Sequence, residues 1–211
     1  RFFILGGGHV GKNAAEMASQ MGAEVWVSEV SEERRVILSK AKDLDRDSSA
    51  FPPGLTTRRA GGGLRMTKVN VINPSDVEQY HKILNEADII IGAVHSAGKR
   101  APLVIDQDLL RKMSRHKTKI ILDISIDQGG NIAGSEPRDY EHPLYLDSLG
   151  NLRFSVTNIP SFCGRGASEV LEAASLEYTN QLARGLDQAI QTCPELKSGI
   201  NVLKGEVVIS Y

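Results

Sequence analysis

The feature that most restricts this chain is Gly6-Gly7-Gly8-His9-Val10-Gly11, because it directly follows the apolar run Phe2-Phe3-Ile4-Leu5 and opens a helix-period stretch. In that context the glycines have separate tasks. Gly6 allows a tight turn, Gly8 lets the backbone approach a pyrophosphate, and Gly11 allows the helix to pack close to the strand. A helix beginning here offers unpaired amides and a partial positive charge to phosphate oxygens. Glu29 ends the next apolar run, at the distance of about 20 residues where an acid would accept hydrogen bonds from adenosine ribose hydroxyls. A carboxylate there also repels a 2′-phosphate, which favours NAD over NADP, with Arg34 and Arg35 close enough in sequence to moderate the preference. The bland alternatives are a glycine cluster in a turn and a solvated carboxylate at a strand end.

Apolar or β-branched runs recur at Phe2 to Leu5, Glu24 to Ser28, Lys68 to Ile72, Asp88 to Val94, Lys119 to Ser125 and Leu152 to Thr157, mostly separated by helix-period segments. This alternation predicts a parallel sheet in a doubly wound α/β fold of the Rossmann type. The first helix is expected to bury Val10, Ala14, Met17, Ala18 and Met21 and to end at Gly22. Ser75-Asp76-Val77-Glu78 reads as a capping box opening a second helix with a stripe of Val77, Tyr80, Leu84 and Ala87. Asp106 suits the N-cap of a third helix, which buries Leu109, Leu110 and Met113. Residues 41–67, with Pro and Gly clusters, are expected to be a long loop insertion, and Ile126 to Asn151 lacks helical periodicity. Further on, Leu171, Ala174, Tyr178, Leu182, Leu186 and Ala189 make one stripe over about five turns, followed by a hairpin around Lys204-Gly205. Residues 1–163 are thus expected to be a dinucleotide-binding domain, and 164–211 a C-terminal helical extension and tail.

Composition narrows the class. The chain has 211 residues, 41% hydrophobic and 24% charged, with net charge −1, so neither a disordered chain nor a nucleic-acid binder driven by basic excess is expected. No apolar run approaches the roughly 18 to 20 residues of a membrane span. Cys163 and Cys193 stand far apart with no His clustered near either, which suits a reducing, cytoplasmic location and leaves no structural metal site. The abrupt start at Arg1, straight into the first strand, reads as a cut through a longer protein.

Three other places carry candidate chemistry. The fourth run ends in Ala93-Val94-His95-Ser96-Ala97-Gly98-Lys99-Arg100-Ala101-Pro102, and loops at the carboxyl ends of strands line the crevice of a doubly wound sheet. His95 is a candidate proton-transfer group there, or simply a loop histidine. The fifth run leads into Ile126-Asp127-Gln128-Gly129-Gly130-Asn131, where Asp127, a carboxylate followed by an amide and two glycines, has no obvious packing purpose. It could hydrogen-bond cofactor or substrate and stabilise a cationic imine, or it could cap a loop. Asn158, before Ile159-Pro160, holds the analogous place on the neighbouring strand and could equally be a turn residue ahead of proline.

Taken together these pieces resemble the alanine dehydrogenase and proton-translocating transhydrogenase family, nearly end to end. The matching segments are Gly6 to Ala15, Ala87 to Val94, Ala101-Pro102, Asp123 to Gly130 and Asn158-Ile159-Pro160. Ile126-Asp127-Gln128 looks like the alanine dehydrogenase branch, while Asn131 after the glycines looks like the transhydrogenase branch. Ser161 and Phe162 replace the small residues usual after the proline. The resemblance implies an NAD-dependent oxidoreductase acting on amino or imino groups. Gly6, Gly8, His9, Val10, Gly11, Glu29, Val94, His95, Ser96 and Ile126 would bind NAD, while Asp127 and Asn158 would face nicotinamide and substrate. It further implies a homo-oligomer, an amino or keto acid substrate, and a preceding substrate domain that supplies the lysine, histidine and arginine of catalysis. A secondary-amine-forming dehydrogenase of the same family, and a stand-alone nucleotide-binding or transhydrogenase-like module without catalysis of its own, remain open.

Overall fold

The computed structural model describes residues 1–40, 68–96 and 98–208; the loop insertion expected at 41–67 lies outside the described residues. Strands β1 (Phe2–Leu5), β2 (Val25–Ser28), β3 (Val69–Ile72), β4 (Ile89–Gly92), β5 (Ile120–Asp123), β6 (Leu144–Leu146) and β7 (Leu152–Phe154) form one sheet in the order β3-β2-β1-β4-β5-β7-β6. All neighbours run parallel except the β6–β7 pair. The order reverses between β1 and β4, so the crevice of a doubly wound fold must open at the carboxyl ends of those two strands.

Alternate residues along the strands feed two cores, as a sheet buried on both faces requires. Phe3, Leu5, Ile90 and Ile121 pack with Tyr80, Ile83 and Leu84 of α3 (Val77–Glu86) and Leu110 and Met113 of α4 (Gln107–His116). Ile4, Val25, Val27 and Ile91 pack with Ala15 and Ala18 of α1 (His9–Gln20) and Leu38 of α2 (Glu32–Lys40). Small alanines at the α1 contact bring that helix close to β1, where its first turn meets the glycine loop.

Several expectations are corrected here. On α1 the buried face is Gly11, Ala15, Ala18 and Ser19, whereas Val10, Met17 and Met21 are exposed, so the apolar stripe was read about one residue out of phase. Gly22 does end the helix, at φ 81°. The cap of α3 is Asp76, which accepts from the Gln79 amide at 3.2 Å; Ser75 is not the cap, and Val77 is exposed. Asp106 caps α4 as expected, accepting from Leu109 N at 2.8 Å. Helix α2 had no sequence signal because its first turns are Glu-Glu-Arg-Arg, and Leu38 is its buried contact. Strand β5 stops at Asp123 and gives way to a 3₁₀ turn, Ile124–Gln128. Strand β6 was missed; it is three residues long and held by its pairing to β7 and by fully buried Arg153, whose guanidinium bonds Asp147, Ser135 and the Ala133 carbonyl.

By internal contacts the chain divides into Arg1–Thr157 and Asn158–Tyr211. The second unit has a 3₁₀ turn (Ile159–Cys163), α5 (Gly164–Leu182), α6 (Leu186–Thr192), α7 (Glu195–Ser198) and the antiparallel hairpin β8 (Val202–Leu203) and β9 (Glu206–Val207). The single five-turn helix of the sequence reading is broken at Gly185, whose φ of 108° no helix accommodates. Lys204 and Gly205, both at positive φ, make the hairpin turn.

Candidate functional site

A crevice of about 640 Å³ opens where the order reverses, walled by the ends of β1, β2 and β4. Its floor is the glycine loop. Gly6 turns at φ 93°, and a side chain there would meet the Ala93 carbonyl 2.8 Å away. Gly11 is buried beneath the loop, and a Cβ on it would fall inside the van der Waals shell of the Gly6 carbonyl oxygen, so the close helix-to-strand contact allows only glycine. Gly8 differs: it is the N-cap of α1, and nothing lies within 4 Å of where its Cβ would be. No side chain caps α1 and no acid stands in its first turn, so its N-terminal end, which lines the crevice at Gly8, His9 and Val10, keeps amide donors for an anion. His9 and Val10, both exposed, continue this wall.

Glu29 is 4% exposed yet lines the crevice. Its Oε2 accepts from Gly7 N at 2.8 Å and its Oε1 from Ser31 N at 2.9 Å. The carboxylate thus clamps the glycine loop to the end of β2 and keeps lone pairs for a further donor. Arg34 of α2 also lines the crevice, its Nη1 3.9 Å from Glu29 Oε2, whereas Arg35 is turned to the Glu29 and Val30 carbonyls at 2.9 and 2.6 Å.

The opposite wall is Val94 and His95, and its support was missed from the sequence. Asn131, fully buried, accepts from Val94 N at 2.9 Å and donates through Nδ2 to the Val94 and Pro102 carbonyls at 3.0 and 2.9 Å. Ser125 Oγ donates to the same Val94 carbonyl at 3.0 Å. Asn131 is itself held by Asp123, a buried carboxylate that accepts from the amides of Asn131 and Ile132 and from Ser135 Oγ at 2.7 Å. Of the two glycines after Asp127-Gln128, Gly130 at φ 80° wraps Asp123, and a Cβ on it would lie 2.7 Å from Asp123 Oδ2, whereas Gly129 at φ 100° lies against the Arg100 side chain.

The structure therefore brings Gly6, Gly8, His9, Val10, Glu29, Val94 and His95 to one crevice, with Gly11 packed beneath them. Ser96 is half-buried and follows His95 without lining it. Ile126 is buried and Asp127 exposed on the 3₁₀ turn, and neither lines the crevice. Asn158 is exposed, in the left-handed conformation at φ 52°, as the first residue of the second unit. Pro102, at the end of the loop that the sequence places at the crevice, lines it, and Pro74 and Val104, not anticipated, add to the apolar lining. Among the described residues no helix is long and apolar enough to cross a membrane, and no cluster of three His, Cys, Asp or Glu could hold a metal.

Residues 1–210 match the family of the alanine dehydrogenase/PNT C-terminal domain. The chain belongs to that family. Alanine dehydrogenase 2 of Staphylococcus aureus strain USA300 is 31% identical over 206 residues, 97% of this chain and 48% of the relative, and the same protein of strain NCTC 8325 matches equally. A solved L-alanine dehydrogenase superposes with TM-score 0.71 at 28% identity, over 98% of this chain and 50% of the other. A transhydrogenase from Sinorhizobium meliloti shares the fold, with TM-score 0.65 at 19% identity over 98% of this chain and 52% of that one. The chain spans about half the length of these relatives. Domains of this family bind NAD(H), and the crevice fits such a group: an uncapped helix start, open space above Gly8, and a carboxylate at the end of β2.

Proposed function

We propose that this chain is the NAD(H)-binding part of an amino acid dehydrogenase that exchanges hydride between NAD and an amino or imino acid. The observation that carries the reading is the glycine loop clamped by Glu29 at the reversal point of the sheet, in a chain that matches alanine dehydrogenase over almost its whole length. The α1 amides would bind the pyrophosphate, and Glu29 would accept from the adenosine ribose. Val94 and His95 would flank the nicotinamide side. When bound, NAD supplies the hydride acceptor. Asp127 and Asn158 would approach the nicotinamide and substrate, with Asp127 offsetting positive charge on the imine and His95 available for proton transfer. A substrate domain in the whole protein would supply the cation for the substrate carboxylate and the remaining acid and base.

Titration of the chain into NADH, followed by nicotinamide fluorescence, tests the first half; absence of saturable binding would refute it. Assay of the full gene product with pyruvate, ammonium and NADH tests the second. Turnover with pyruvate plus ornithine or lysine, and none with ammonium, would instead assign secondary-amine formation. NADH binding without turnover of either kind would assign a binding module.

A further inference from the structure

We infer that the cavity between α4 and the β6–β7 pair is a binding site for a small organic acid, whose carboxylate Arg138 holds with Arg153 behind it. The cavity measures about 280 Å³ and shares no lining residue with the nucleotide crevice, so the inference does not rest on the NAD(H) reading. Its most buried charge is Arg153 of β7. Arg153 Nε donates to Asp147 at 2.8 Å, and its terminal nitrogens find one acceptor each, Ser135 Oγ at 3.3 Å and the Ala133 carbonyl at 3.0 Å. One N–H on each terminal nitrogen is left over, in a side chain that lines the cavity. Asp147 cannot absorb them. Its Oδ1 already accepts from Leu149 N and Asn151 N, and its Oδ2 from Asn151 Nδ2 and Arg153 Nε. Buried donors without partners are costly, and an incoming acceptor relieves that cost.

Arg138, 35% exposed, is the accessible cation of the cavity. Its backbone is pinned by donation to the Ser155 carbonyl at 3.0 Å, and its guanidinium lies 4.4 Å over the ring of Tyr145, whose hydroxyl accepts from Glu136 N at 2.8 Å. The cation is thus positioned by a ring and not by acceptors. Its Nε is buried without a partner, and among the described residues its side chain has one acceptor, Glu136 Oε2 at 2.8 Å. Glu136 is 64% exposed, and so exposed an ion pair contributes little, so a ligand carboxylate can take its place. The planar fork of a guanidinium matches a carboxylate. Leu110, Leu146 and Leu149 add an apolar lining for a short tail, in a cavity at the small end of the range for ligand sites. Arg138 and Arg153 against Glu136 and Asp147 leave the lining without net charge, which suits a monoanion better than phosphate.

The test is titration of the full chain with sodium butyrate at constant ionic strength, chloride making up the balance, followed by amide proton–nitrogen correlation NMR. The amides of Glu136, Arg138 and Ser148 should shift saturably with a Kd of about 1–10 mM, an affinity within reach of so small a ligand. Arg138→Gln should weaken binding about tenfold, through loss of a charge-assisted hydrogen bond. Glu136→Gln removes the competing carboxylate from an exposed position and should strengthen binding about threefold. Circular dichroism checks the fold of each variant, and Glu136→Gln tests the site even where Arg138→Gln fails to fold. Shifts that stay linear to about 100 mM, that chloride alone reproduces, or that inorganic phosphate produces at lower concentration than butyrate overturn the inference. So do shifts confined to Gly8 and His9, which place the acid in the crevice, and an affinity that Glu136→Gln leaves unchanged or weakens.

Discussion

Asn131 offers the sharpest test of how the crevice is held. Replacing it with alanine removes three hydrogen bonds, from Val94 N and to the Val94 and Pro102 carbonyls. The Val94 carbonyl keeps Ser125 Oγ as a donor, but the Val94 amide loses its partner. At roughly 0.5–1.5 kcal/mol net per bond, and about 1–3 kcal/mol for a buried group left unsatisfied, the loss should total about 2–4 kcal/mol. For a domain of this size that corresponds to a fall in Tm of roughly 5–15 °C, read by differential scanning fluorimetry. Asn131→Asp is the finer probe. It keeps an acceptor for the Val94 amide but turns a carboxyl oxygen towards two carbonyls at 2.9–3.0 Å. Burial and those carbonyls would raise the pKa of the introduced carboxyl in the folded state. Its protonated form is then favoured by folding, so stability is fully present below the ordinary carboxyl pKa and is lost as pH rises through the folded value. The deficit of Asn131→Asp against the native protein should therefore shrink between pH 7 and pH 5, while that of Asn131→Ala stays constant. A Tm within about 1 °C of native for Asn131→Ala, or a deficit for Asn131→Asp that ignores pH, would refute the clip.

The glycines separate stability from binding. Gly8→Ala points into open space at an unstrained φ of −69° and should leave Tm within about 1 °C while weakening NADH at least tenfold; Gly11→Ala, driven against the Gly6 carbonyl, should cost about 1–3 kcal/mol as well. Lys119 is 2% exposed, with Nζ on the Asn85 and Ala87 carbonyls; burial chiefly, aided by the charge of Lys117 and opposed by Asp88, holds its pKa down to about 8. Since the unfolded chain then binds more protons between pH 8 and 10.5, stability should rise with pH across that window by roughly 1–3 kcal/mol, a slope that urea titrations should find missing in Lys119→Met. Asp127→Asn should retain NADH binding by the chain and lower turnover of the full gene product at least tenfold; unchanged turnover would remove Asp127 from the reaction.

What the sequence made legible follows from which contacts are local. The glycine loop reads from its own letters because each constraint, φ at Gly6 or the missing Cβ of Gly11, is met within a few residues of strand and helix. Glu29 reads because the spacing of the second strand is fixed by the first helix. The phase of α1 does not: alanine and valine are both apolar, and only the closeness of the helix to β1 decides that Ala15 is buried and Val10 faces the crevice. Nor does Asn131, since its partners, Val94 and Pro102, lie some thirty residues upstream and meet it only when β4 and β5 pair. The available signal was Gly130 of the Gly129-Gly130 pair, whose φ of 80° and missing Cβ let the chain wrap Asp123.

The distribution of charge in the crevice limits what these residues can do unaided. An amino acid oxidised to its imine must have its carboxylate held by a cation and its amine deprotonated, both near the hydride acceptor. Among the described crevice-lining residues the cation is Arg34, on α2 near Glu29, where the proposed reading puts the adenosine, whereas His95 follows β4. Proton transfer therefore has a candidate on the wall where the proposed reading puts the nicotinamide, but among the described crevice residues of that wall carboxylate recognition does not. Asp127, exposed on the turn after β5, carries the wrong sign for that task and the right sign for an adjacent iminium. On the proposed reading a substrate domain of the whole protein would hold the substrate's carboxylate, since none of the described crevice residues on the His95 side is suited to it. On that reading NADH affinity should be measurable in this chain alone, whereas substrate selectivity should be measurable only in the full gene product.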